Sequence, residues 1–246
     1  MDVVERSADS QFDETFAFFG ILWLLVAWIQ ASLIKTIKAW HRNFNLVSTL
    51  PFVLHICSSF YIINIDYTNH TPIPQLLLNM FCLDSIVCFV VALFHAKRND
   101  YVGHKDAMFR SFLYSIEGAG TIRTVATIQA FLGLGPDICR DIGHDFETSC
   151  IYSYTWRLLL TRYLSLIYLG IYVVHKKNIN FTHSFFMELI WFSIISVFLL
   201  NPMRMSTINL YLQDHPFTVI TVFLSIAAVM KVFILQRSKV IKNPNF

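Results

Sequence analysis

The sequence predicts an all-α fold, a polytopic transmembrane bundle of seven helices with its amino terminus outside and its carboxyl terminus inside. Three observations point there. The first is composition: 55% of residues are hydrophobic, 15% aromatic and only 14% charged, with a mean hydropathy of +0.54, whereas soluble domains carry about 25% charged residues. The second is run length. A helix needs roughly 20 largely apolar residues to cross a bilayer, because lipid offers its backbone no hydrogen-bond partners. Such runs occur at about Phe16 to Thr36, Phe44 to Ile65, Leu76 to Ala96, Met108 to Leu132, Trp156 to His175, Ser184 to Met203 and Phe217 to Gln236. They leave room for one domain, 1–246, with a polar outer segment (1–15), a long outer loop (133–155) and an inner tail (237–246).

The third observation is charge placement. Lys35, Lys38, Arg42, Lys97, Arg98, Lys105, Arg110, Lys176, Lys177, Arg237, Lys239 and Lys242 fall at one set of helix ends, and only Arg6, Arg140, Arg157 and Arg204 at the other. Short cytoplasmic loops are rich in Lys and Arg, so the first set faces inside. Most acids, among them Asp2, Glu5, Asp66, Asp137 and Asp214, lie on the outer side. The first fourteen residues lack the cationic start of a secretory signal, so the first span is expected to stay in place.

The first span is apolar all round and ends in Lys35, Lys38 and Trp40, as expected of a lipid-facing helix anchored at the interface. His41-Arg42 opens the second, where Pro51 bends the helix and His55 sits near mid-membrane. Asp66 to Pro74 is a connector. The third span carries Asp84 about 12 Å from its outer end. The fourth carries Glu117 about 13 Å and Arg123 about 22 Å from its inner end.

Arg162 of the fifth span lies near the depth of Arg123. Charge at such depth must face the bundle interior, a partner or water. Asp84, Glu117, Arg123 and Arg162 are therefore candidates either for a structural ion network or for a cavity that binds a ligand or protons. Glu188 and Lys231, about 7 and 8 Å from the inner ends of the last two spans, are placed to pair. Lys231 is too near the interface for a retinal-type Schiff base and can snorkel.

Histidines gather at inner helix ends: His41, His95, His104, His175 and His183. Imidazoles from adjacent helices are what b-type haem or a metal centre needs. His41 and His104 are the first candidates for such ligands, with His95 and His175 in reserve. The competing expectation is a cationic rim in which the same residues, with Arg42 and Arg110, face lipid phosphate. Cys57, Cys82 and Cys88 fall within spans, while Cys139 and Cys150 share the outer loop, where an oxidising compartment would permit a disulfide.

His41-Arg42, the run His104-Lys105-Asp106-Ala107-Met108-Phe109-Arg110-Ser111, and Thr121-Ile122-Arg123 resemble a multi-pass membrane family known as a domain of unknown function, found largely in bacteria. The resemblance covers about Leu24 to Tyr172. It implies membrane architecture and singles out His41, His104, Arg110 and Arg123, without implying a reaction.

Nucleotide-binding glycine patterns, a P-loop and a GxSxG elbow are absent, and nucleic acid is not an expected partner. Two functional classes follow. One is a redox membrane protein associated with haem, a metal or a quinone. The other is a non-enzymatic transporter, sensor or assembly subunit that uses the buried charged layer. In either class the partners are the lipid bilayer and other membrane subunits, in a bacterial inner membrane or a eukaryotic organellar membrane.

Overall fold

The computed structural model describes residues 18, 19, 21–23, 25, 26, 29, 38–61, 63, 64, 72–117, 121–132, 146–176, 179–201, 225, 226 and 228–232. Of 38–48, 72, 123, 130, 146–153 and 179–181 it describes the backbone alone. The polar outer segment, the inner tail, Cys139 and the Cys150 side chain lie outside the described residues.

Six helices are delimited: α1 (Lys38–Tyr61), α2 (Pro72–Lys97), α3 (Tyr101–Ile116), α4 (Ile122–Phe131), α5 (Phe146–Lys176) and α6 (Ile179–Leu199). Further helical residues lie around Trp23 and at 225, 226 and 228–232, and no strand occurs among the described residues. Within α2, α5 and α6, Ile73–Lys97, Tyr154–Lys176 and Thr182–Leu199 are long and apolar enough to cross a membrane, and Thr49–Tyr61 is a shorter apolar helix.

The chain divides into two compact units, residues 1–69 and 70–246. In the first, α1 runs through Pro51, Trp23 packs on Phe52 with ring centroids 4.9 Å apart, and His55 is buried. Its carbonyl accepts the hydroxyls of Ser58 and Ser59, at 2.9 and 2.7 Å.

In the second unit α2 is the central helix. One face, with Ile73, Leu77, Met80 and Phe81, joins Leu158, Leu166 and Leu169 of α5 and Phe192 and Ile195 of α6 in the main apolar core. The other face packs on α3 through small residues, Cys88 and Ala92 against Ala107, with the large Tyr114 ring in the same cluster. Small side chains let two backbones approach closely, and hydroxyls then bond across the gap. Ser85 donates to the Ser111 carbonyl at 3.0 Å, Ser111 donates to the Ser85 carbonyl at 2.9 Å, and the Ser85 and Ser115 oxygens lie 2.6 Å apart.

The α2–α3 connection is tight. Asn99 takes φ 59°, the left-handed conformation that ends a helix, and the Asp100 and Asn99 amides return to the carbonyls of His95 (2.9 Å) and Ala96 (3.1 Å). Asp100 then caps α3 by accepting the Gly103 amide at 3.0 Å. Its other oxygen holds His95 Nδ1 at 2.8 Å, and His104 Nδ1 holds the Ala92 carbonyl at 2.9 Å.

Two spans differ from expectation. The run Met108 to Leu132 is helical in α3 and α4, with π-helical geometry at Glu117 and Thr121, and residues 118–120 between them lie outside the described residues. The helix starts at Tyr101, seven residues early, because Asp100 caps a polar first turn that hydropathy cannot register. Likewise α5 begins at Phe146, so ten residues assigned to the outer loop are helical. That turn-rich stretch, Phe146 to Thr155, is too polar to read as part of a span.

Candidate functional site

An early start for α3 changes the depth of everything on it. From Tyr101, Asp106, Arg110, Tyr114 and Glu117 lie about 8, 14, 20 and 24 Å along the axis. Their spacing of four, four and three residues puts them on one face. That face points inward: Arg110 and Glu117 are completely buried, and Asp106 and Tyr114 nearly so. Arg110, counted from the sequence among the rim cations, is thus an interior residue.

Four other helical segments bring charges to this stripe and form two tiers. In the deeper tier Arg162 of α5 donates from Nη1 to Asp84 Oδ2 of α2 at 2.7 Å, and its Nη2 lies 2.9 Å from Glu117 Oε2. Its guanidinium also rests over the rings of Tyr114 and Phe81, at 4.3 and 4.6 Å from the centroids. In the tier nearer the α2–α3 turn, Arg110 Nε pairs with Asp106 Oδ2 at 2.9 Å and Nη1 pairs with Glu188 Oε1 of α6. Lys231 Nζ reaches the same Glu188 oxygen at 3.0 Å.

Tyr114 joins the tiers. Its hydroxyl donates to Glu188 Oε2 at 2.7 Å and accepts from Lys231 Nζ at 3.0 Å, while Arg162 covers its ring. The result is a connected set of seven buried charges and one phenol drawn from α2, α3, α5, α6 and the segment at Lys231. Each pairing offsets a desolvation cost that no lone charge could bear in a low-dielectric interior.

Beside the set lies a cavity of about 30 Å³, lined by Asp84, Tyr114, Arg162, Glu188 and Lys231 on its polar side and by Phe81, Trp191 and Phe192 on its apolar side. A water needs 10–15 Å³ measured this way. The space therefore suits about two waters among polar partners.

The residues anticipated from the sequence thus fall into three groups. Asp84, Glu117 and Arg162 meet directly. Arg123 lies on α4, but its side chain is outside the described residues, as is that of His41. His95 and His104 sit in the α2–α3 turn with Nδ1 engaged as above, and His175 is exposed at the end of α5. No group of three or more His, Cys, Asp or Glu side chains among the described residues is placed to hold a metal ion. Tyr114, Asp106 and the inward face of Arg110 were missed, although the 106-110-114-117 spacing was the available signal.

Comparison with protein-family models, curated proteins and solved structures finds no match to this chain.

Proposed function

We propose that the chain is a multi-pass integral membrane protein of the non-enzymatic transport or sensory class, and that its buried ionic set is the working element. The observation carrying this is an inverted distribution of polarity. Arg110 and Glu117 are 0% exposed, while Val174 of α5 and Val197 of α6 are 74% and 73% exposed. Only an apolar solvent makes that arrangement favourable, since water would favour the reverse.

The seven-span topology, with the amino terminus outside, rests on the asymmetry of cations at helix ends. Removing Arg110 from the rim leaves eleven inner cations against four outer ones, so the asymmetry persists. In sealed vesicles, a cysteine at position 176 should react with a membrane-impermeant reagent only from the inner side. Reaction only from the outer side would reverse the orientation.

A redox reading also draws on one feature. His95 and His104 have Nδ1 bonded to a carboxylate and to a carbonyl, the kind of support that fixes the ring of a metal-ligating histidine and leaves Nε2 to bind. A visible absorption spectrum and metal analysis of the gently purified protein separate the two classes. A haem band or stoichiometric metal, lost on His104→Ala, would favour the redox class.

A further inference from the structure

The two tiers differ in charge balance. Near the α2–α3 turn two cations, Arg110 and Lys231, face two carboxylates, Asp106 and Glu188. In the deeper tier, among the described side chains, one cation, Arg162, faces two carboxylates, Asp84 and Glu117. Both acids and Arg162 are buried, so an uncompensated negative charge there would be very costly, and a buried carboxyl neutralises instead by taking a proton.

The two acids are not equivalent. Asp84 accepts a hydrogen bond from Arg162 and lines the water-sized cavity. Glu117 is completely buried, away from the cavity lining, with Arg162 and Ser165 beside its carboxyl. We propose that Asp84 and Glu117 share a single bound proton, held mainly on Glu117, so that this pair is a proton-binding site in the bundle interior.

This rests on the membrane reading above and names the proton as the ligand of the ionic set. Binding is the step Glu117-COO⁻ + H⁺ → Glu117-COOH, and it leaves Arg162 to Asp84. Release returns Arg162 to competition between the two carboxylates, so the pair titrates as a unit. Among the described residues, the groups acting on Glu117 are Asp84 from α2, Arg162 and Ser165 from α5, and Lys231. On α4, Arg123 is six residues along the chain, and a fourth cation there would cancel the imbalance.

Infrared spectroscopy of the full-length protein in lipid at neutral pH tests this through the C=O stretch of protonated carboxyls. The wild type should show one protonated carboxyl from this tier. Glu117→Gln should abolish it. Asp84→Asn should abolish it too, because one carboxylate then matches one cation, and Arg162→Gln should double it. Glu117→Gln should also leave the thermal midpoint unchanged, since the amide mimics the neutral acid.

No protonated-carboxyl band in the wild type, or a band surviving Glu117→Gln, would overturn the proposal. A large fall in midpoint or loss of folding in Glu117→Gln would do the same, by showing that an ionised Glu117 balances a cation such as Arg123. Membrane integration is read separately by fractionation, so its failure is distinguishable from failure of the proton site.

Discussion

Tyr114 is the residue on which the two tiers depend. Its ring is covered by Arg162 and its hydroxyl stands between Lys231 and Glu188. Hydrogen bonds to charged groups contribute about 1.5–3 kcal/mol, so Tyr114→Phe should lower stability by about that amount while the ring contact with Arg162 persists. Tyr114→Leu should cost more, since it also removes the cation–π contact, worth roughly 2 kcal/mol when desolvated. Thermal unfolding of both variants in lipid orders them. Equal losses would mean that the hydroxyl alone matters.

The partnership of Asp84 with Arg162 was legible because both charges sit deep in long apolar runs. Tyr114 was not, since one tyrosine among ten carries no charge to mark it. Arg110 was misplaced for a different reason: hydropathy put the helix start two residues before it, when the capped start lies nine residues before it.

At the scale of elements, the α2–α3 hairpin is the most closely specified part of the chain. A Cβ on Gly103 would sit 2.5 Å from His95 Nδ1 and 2.6 Å from Asp100 Oδ2, inside any tolerable contact. Gly103→Ala should therefore break the His95–Asp100 bond or displace the cap, at about 1–3 kcal/mol as for other overpacked sites. Amide hydrogen exchange should accelerate in the first turn of α3 before it does in α5. Unchanged exchange there would show that the turn relaxes without loss.

Much of this hairpin could be read in advance, because Lys97-Arg98-Asn99-Asp100 is polar between two apolar runs. The extension of α5 back to Phe146 was hidden, since its added turns are polar. Apolar runs report where a helix meets lipid rather than where it begins.

The second unit buries seven charges in its interior and exposes aliphatic side chains along α5 and α6. On the proposed function this outer surface meets lipid. Ile167 and Val174 on α5 and Ile194 and Val197 on α6 are all exposed, and they mark the surface most directly. The decisive measurement places a nitroxide label at Ile167→Cys or Val197→Cys in protein whose five native cysteines are replaced by alanine. Relaxation by oxygen, which concentrates in acyl chains, is then compared with relaxation by a water-soluble nickel chelate after reconstitution in bilayers. A lipid-facing surface predicts strong relaxation by oxygen and little by the chelate at both positions. Strong relaxation by the chelate at both would contradict it, because those side chains would then face water.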